Sequence, residues 1–504
     1  PGLRGRGIGG TPTPYRPDAR MGALLSVFGC NGEEELTSNP VFEEKWPLFE
    51  KKMMEAGLNE AAMNAFKYNF QVLTSGKDLT IPESSISAVS RLPKYSDLKQ
   101  ENAALLQSTV MVKLNGGLGT GMGLDKAKSL LPLKGKNTFL DFIAQQVVYM
   151  RKKFNVELAF ILMNSFATSS DTIAHLKKYK GLASPTLPLE FVQNKAPKVL
   201  KADLTPAVWP HKRDHEWCPP GHGDLYPALL GSGMLKQLQE EGFKYMFVSN
   251  SDNLGATMDL KLLTWFANSG APFAMEVADR TEADKKGGHL ARSNKTGGLL
   301  LRESAQCPEA DEKAFQNVSK HKFFNTNNLW INIQELQASF EKFGGALPLP
   351  VISNEKTVDP RDKKSPAVLQ LETAMGAAIE CFPGAQAILI PRTRFAPVKT
   401  TADMLALMSD AYDVTEDFRM ELKPERNGIP PNIKLDGCYK FVDDMMALVK
   451  NGPPSLIKCT KLTIEGKMVF DKNVVFEGEV KVVNSGDSSK KLKTGTYTNT
   501  TVEL

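Results

Sequence analysis

Residues Leu114 to Gly123 read LNGGLGTGMG, five glycines in ten positions directly behind the apolar run TVMV. Glycine inside a regular element costs about 0.5 to 1 kcal/mol relative to alanine, so a cluster this dense marks a backbone that must lie close to something. The run lacks the GxxxxGK[ST] spacing of a Walker A loop and never places the third glycine of GxGxxG. What remains is a strand, a glycine loop and a basic segment, LDKAKSLLPL, with Lys126 and Lys128. Backbone N–H groups in such a loop reach a polyphosphate or the edge of a nucleobase, and a lysine after it neutralises charge. A glycine-rich surface turn beside a solvated basic patch fits the same residues.

Two further stretches carry chemistry. In CPPGHGDLY, Cys218 to Tyr226, the prolines stiffen the entry, Gly221 and Gly223 permit a tight turn, and His222 between them has little cover. That arrangement suits donation to an anionic or carbonyl ligand, and a structural histidine is the alternative. Asp224 stands just before an apolar helical pattern, where it could cap the helix instead of meeting a ligand. In FVSNSDNLGATMD, a strand delivers Asn250 and Asp252 to its exit. One hard carboxylate there suits Mg2+, which takes one or two protein oxygens and completes its shell with phosphate and water. An aspartate that braces the turn is the competing reading.

These residues need elements to position them. Between residues 40 and 105 two helices are expected, around FEEKWPLFEKKMMEAG and NEAAMNAFKYNFQVLTSG, followed by the turn-rich TIPESSISAVSRLP. From 106 to 418 short apolar runs alternate with amphipathic stretches. STVMVKLNG, VELAFILMNS, PLEFVQNK, KYMFVSNSD and APFAMEVAD read as strands, and TFLDFIAQQVVYMRKKF, SDTIAHLKKYK, DLYPALLGSGMLKQLQEEG and MDLKLLTWFANSG as helices. The alternation predicts an α/β domain with a mainly parallel sheet covered on both faces. Ligands of open α/β sheets lie beyond the carboxyl ends of the strands, where this chain places Asn115, Asn164, Ser165, Gln193, Asn194, Asn250 and Asp252. Over 419–504 short alternating segments broken by Gly or Asn predict a small parallel β-helix or an antiparallel sheet. Residues 1–39, rich in Gly, Pro and Arg, read as a flexible leader or a cloning remnant.

Composition sets outer limits. The 504 residues are 41% hydrophobic and carry a formal net charge of +5, too weak an excess for a nucleic-acid binder. Six cysteines are scattered without a CxxC pair, which predicts free thiols in a reducing compartment. No apolar run approaches the roughly 18 residues that span a bilayer.

Taken in order, KLNGGLGTGMG, PPGHGD, VSNSDNLG, KGGHLAR, LLLRESAQCP, FFNTNNLWI, LPLPVISNEKTVD, QLETAMGAAI and PRTRFAPVKTTADML resemble the UDP-glucose pyrophosphorylases, or UTP–glucose-1-phosphate uridylyltransferases, especially those of the trypanosome and Leishmania group. The resemblance implies a helical N-terminal part, a central nucleotidyltransferase mixed sheet flanked by helices, and a C-terminal left-handed parallel β-helix. It implies the reversible, Mg2+-dependent conversion of UTP and glucose 1-phosphate to UDP-glucose and pyrophosphate. By similarity Leu114, Asn115, Gly116 and Gly117 hold the uracil and ribose side of UTP, Gln193 reads the uracil edge, Gly221 closes on the base, and Lys128 meets the phosphates. His222 contacts the phosphate of glucose 1-phosphate, Asn250 the sugar nucleotide, Glu303 and Asn325 the glucose hydroxyls, Lys399 the reacting phosphates, and Asp252 the magnesium. Ser251 departs from the family pattern, which carries Gly or Ile there. Two alternatives stay open: a pyrophosphorylase for N-acetylhexosamine 1-phosphate or several sugars, and a UDP-sugar-binding protein without turnover. Retention of Lys128, Asp252 and Lys399 argues against the second. The expected partners are these small molecules, with neither nucleic acid nor membrane. The expected state is a cytoplasmic monomer, with a glycosomal location as the alternative.

Overall fold

The structure is a computed structural model that describes residues 39–124 and 126–504. The leader expected over 1–39 lies outside them except for Asn39, whose side chain accepts from the Phe42 N–H at 2.9 Å and caps the helix Pro40–Glu55. Phe42, Trp46, Phe49 and Met53 recur at helical spacing and are buried. Phe49 meets Phe70 of the helix Glu60–Thr74 with ring centroids 4.6 Å apart. This aromatic seam rests on Ala196, Val199, Cys218, Val351 and Leu371, so the helical region is seated on the segments around PPGHGD. The passage read as turn-rich also contributes Ile86–Ala88, an edge strand antiparallel to His289–Ser293.

The central sheet is mixed. Glu190–Val192, Ala159–Asn164, Thr109–Asn115 and Tyr245–Asn250 run parallel, and their exits align through the register pairs Asn164↔Val192, Asn115↔Asn164 and Asn250↔Leu114. Thr109–Asn115 and Ala159–Asn164 are buried from end to end because helices cover both faces. Phe323–Asn332 then enters antiparallel to Tyr245–Asn250 and to Phe273–Asp279. The long helix expected over DLYPALLGSGMLKQLQEEG is two short ones, Leu225–Gly231 and Met234–Glu240, broken where Gly233 takes φ 75°.

In the C-terminal region Asn432–Leu435, Cys459–Glu465, Val474–Val483 and Thr501–Glu503 form a small parallel sheet, and Met468–Phe470 pairs in parallel with Lys490–Leu492. The antiparallel alternative is thereby excluded. NVVFEG and EVKVVNSG are one strand, bent at Gly478 (φ 64°), where a Cβ would lie 2.0 Å from Asn499 Oδ1. A continuous buried cluster runs from Leu106 and Phe139 of the central sheet side to Phe476 and Leu492 of this region. Cys218, Cys307, Cys438 and Cys459 are free thiols, but Cys381 is disulfide-bonded, which corrects the expectation of free thiols at that position. Among the described residues no helix is long and apolar enough to cross a membrane.

Candidate functional site

The glycine loop leaves the strand Thr109–Asn115 beside two other strand exits. Asn115 is buried and donates from Nδ2 to Asn164 Oδ1 at 2.7 Å and to Thr172 Oγ1 at 3.0 Å, so its side chain ties its strand to the neighbouring strand and to the helix Ser169–Leu176. Leu114 is buried, and its carbonyl accepts from the Ser251 N–H at 3.0 Å. At Gly116 a Cβ would stand 2.3 Å from Gln193 Oε1, which means the Gln193 amide oxygen abuts the loop backbone. Gln193 is itself fixed by donation from its N–H to the Asn164 carbonyl at 2.8 Å. The Gly117 carbonyl accepts from the Lys128 N–H at 3.2 Å, which folds the basic segment back under the loop. Gly123, at φ 78°, ends the loop against the Phe441 ring of the C-terminal region.

Lys128 and Asp252 come together across the mouth of the sheet. Lys128 Nζ lies 2.7 Å from Asp252 Oδ2 and also donates to the Val398 carbonyl. Asp252 in turn accepts the Val398 N–H on its own carbonyl at 3.3 Å, so the strand exit and the segment before Lys399 are stitched together. Asn250 is the last residue of its strand and lies level with Leu114. Ser251 is buried, pinned by its N–H to Leu114. Among the described residues no group of three or more His, Cys, Asp or Glu forms a protein cage for a metal. A lone, partly exposed carboxylate whose present partner is a cation fits Mg2+, which takes few protein oxygens when phosphates supply the rest.

His222 accepts the Met375 N–H on Nδ1 at 3.0 Å. Burial pushes its imidazole down to about 4, so at neutral pH the ring is uncharged and carries its proton on Nε2 as a fixed donor. Gly221 has φ 81° and no space for a side chain, since a Cβ would sit 2.5 Å from the Thr373 carbonyl oxygen. Asp224 does not cap the following helix. It is buried, burial pushes its carboxyl up to about 7, and it accepts from Asn194 at both oxygens.

Of the remaining predicted residues, Asn325 sits beside the Met375 segment, Glu303 at Gly288 and Lys399 near Phe324. A Cβ on Gly376 would come 3.0 Å from Asn325 Nδ2, while Asn325 and Asn327 exchange two hydrogen bonds of 2.9 Å. Glu303 lies over Gly288, where a Cβ would be 2.5 Å from Oε2; burial pushes its carboxyl up and Lys399 draws it back down. Lys399 is exposed, with Nζ 5.9 Å from the Phe324 ring centroid, and its side chain is not brought into contact with Asp252 or Lys128. Sequence reasoning missed the support beneath these groups. Arg394 grips buried Glu276 with two bonds of 2.9 Å, Trp330 Nε1 donates to the same carboxylate at 2.9 Å, and Asn253 donates to the Arg394 carbonyl at 3.1 Å. The only clue in the chain is PRTRF, which holds Arg394 five residues before Lys399.

The family model described as UTP–glucose-1-phosphate uridylyltransferase matches residues 63–477. The protein of that description from Saccharomyces cerevisiae is 40% identical over 395 residues, 78% of this chain and 77% of the relative. That from Encephalitozoon cuniculi is 38% identical over 412 residues, 81% and 79% of the two chains. Among solved structures, a variant of Leishmania major UDP-glucose pyrophosphorylase in complex with UDP-glucose is similar with a TM-score of 0.87 and 46% identity, covering 93% of this chain and 100% of the other. A Trypanosoma brucei structure described as UDP-glucose phosphorylase is similar with a TM-score of 0.85 and 46% identity, covering 92% and 100%.

Proposed function

Because the chain belongs to the UTP–glucose-1-phosphate uridylyltransferase family, we infer that it converts UTP and glucose 1-phosphate reversibly to UDP-glucose and pyrophosphate, with Mg2+ as cofactor. The observation that carries the assignment of roles is the glycine loop with the Gln193 amide against Gly116 and Lys128, paired with Asp252, folded back onto Gly117. A nucleobase reader and a phosphate-neutralising cation thus stand beside one bare backbone. In this reading Leu114 to Gly117, Gln193 and Gly221 hold the uridine, and Lys128 turns from Asp252 to the phosphates. His222 donates from Nε2 to the sugar phosphate, Asn250, Glu303 and Asn325 address the sugar, and Lys399 approaches the reacting phosphates.

The chemistry asks little of a base. The attacking phosphate oxygen is already anionic at neutral pH, so the site must align two repelling anions and neutralise them. Asp252 would hold Mg2+, which when bound screens phosphate charge as a Lewis acid. The chain's own contribution is the lysine charge, the neutral imidazole donor and the bare glycine backbone. Direct in-line attack of the sugar phosphate on the UTP α-phosphorus follows, without a covalent enzyme intermediate. Turnover with UTP and glucose, galactose or N-acetylglucosamine 1-phosphate, followed by pyrophosphate release, tests the sugar assignment; glucose 1-phosphate is expected to dominate by kcat/KM. A chiral α-phosphorus tests the mechanism: inversion is expected, and retention overturns direct attack.

The parallel ladders of the C-terminal region support reading it as a left-handed β-helix over 419–504, joined to a catalytic domain over 106–418 and a helical region over 40–105. The same reading takes the enzyme as a monomer of the cytoplasm, with the glycosome as the other candidate compartment. Sedimentation across a concentration range tests the first statement and localisation by microscopy the second.

A further inference from the structure

The buried carboxylate of Asp224 is not used by the roles assigned above. Its Oδ2 accepts the Asn194 N–H at 2.6 Å and its Oδ1 accepts Asn194 Nδ2 at 3.0 Å. Asn194 Oδ1 then accepts Asn59 Nδ2 at 3.0 Å, and Asn59 Oδ1 caps the helix Glu60–Thr74 through the Ala62 N–H at 2.9 Å. The carboxylate is only 3% exposed and makes no ion pair among the described residues. The helix that follows takes no cap from it, so helix capping does not account for the group.

Its neighbours on either side do. Asn194 directly follows Gln193, and Asp224 stands two residues after His222. The turn carrying His222 cannot slide, because a Cβ on Gly223 would lie 2.2 Å from Thr373 Oγ1. The Gln193 segment is held from its other side by Asn164. We propose that Asp224 is a positioning residue that fixes the distance between the nucleobase-reading Gln193 segment and the phosphate-contacting His222 turn, so that a uridine and a sugar phosphate are held in register. The inference rests on the roles given to Gln193 and His222 under the proposed function.

The test is a double-mutant cycle in the full chain, with kinetics for UTP and CTP and a Tm for every variant. Asp224→Ala is expected to lower kcat/KM for UTP by about 100-fold and to shrink the preference for UTP over CTP, with Tm lowered because the Asn194 donors lose their acceptor. Asp224→Asn keeps one acceptor and sets a donor against the other Asn194 hydrogen, so it should give an intermediate loss, and it carries the test if the alanine variant does not fold. Combining either change with Gln193→Ala should add less than the product of the single effects, since both disturb one arrangement. If Gln193→Ala and His222→Leu leave kinetics unchanged, the underlying role assignment fails. If those variants are impaired while the Asp224 variants keep wild-type selectivity, or combine with Gln193→Ala as independent factors, the positioning role is overturned.

Discussion

Four charged or titratable side chains carry separable tests at the residue scale. Asp252→Asn keeps the volume and the fold but removes the charge that pairs with Lys128 at 2.7 Å. Turnover should fall by about 100-fold or more with weakened magnesium dependence. A near-wild-type magnesium titration of initial rates removes Asp252 from the metal role. Lys128→Met and Lys399→Met divide the cationic work: the first side chain sits inside the strand exits and the second is exposed. Loss of Lys128 should raise KM for UTP and lower kcat, whereas loss of Lys399 should act mainly on kcat; steady-state kinetics in both substrates separates them. His222 supplies a pH signature. Its imidazole is pushed from 6.5 down to about 4, so the unfolded chain takes up a proton first as pH falls. The stability it contributes is complete above 6.5 and is lost as pH falls through about 4. Urea titrations between pH 7 and 4 should show wild type losing more stability over that window than His222→Gln, and parallel losses would contradict the neutral ring.

At the scale of elements, two glycines of the site make opposite predictions from similar close approaches. Alanine at Gly116 strikes the far end of a flexible side chain, Gln193 Oε1, which swings away at little cost. Gly116→Ala should therefore raise KM for UTP several-fold with an almost unchanged Tm. Alanine at Gly221 strikes the Thr373 backbone and must also hold φ 81°, which costs on the order of 1 to 2 kcal/mol before the clash is counted. Gly221→Ala should lower both Tm and activity, and scanning calorimetry beside kinetics checks the contrast. The same scale explains what the sequence made legible. Val110–Val112 and Ala159–Met163 announce themselves because strands buried on both faces are apolar without interruption. Phe323–Asn332 does not: its Asn325, Thr326 and Asn328 are buried polar residues, Asn327 takes φ 57°, and the register of its partner shifts at Glu276, so alternation is lost. Glu276 and Arg394 are 118 positions apart, and no local spacing signals a pairing that exists only after folding. The placement of Asp252 at a strand exit and of His222 in a glycine turn was legible because both have local signatures, whereas the neutral tautomer of His222 depends on Met375, distant in the chain.

At the scale of the whole molecule, the decisive feature is the buried cluster that contains both Phe139 of the central sheet side and Leu492 of the C-terminal region. Thermal unfolding of the full chain should consequently show these two regions melting together, and a chain ending at Gly452 should lose its activity along with the C-terminal strands. Calorimetry and limited proteolysis check both outcomes, and a truncated chain with wild-type Tm and turnover would show two independent cores. The cluster also sets a schedule for biosynthesis. Domains generally fold in order as they leave the ribosome, at about 5 to 20 residues per second. Here the buried cluster that begins at Leu106 and Phe139 is completed only when Phe476 and Leu492 have emerged. The nascent polypeptide must carry that uncovered surface until then, which makes this interval, and the chaperones that act during it, the stage most sensitive to mutations in the strands Val474–Val483 and Lys490–Leu492.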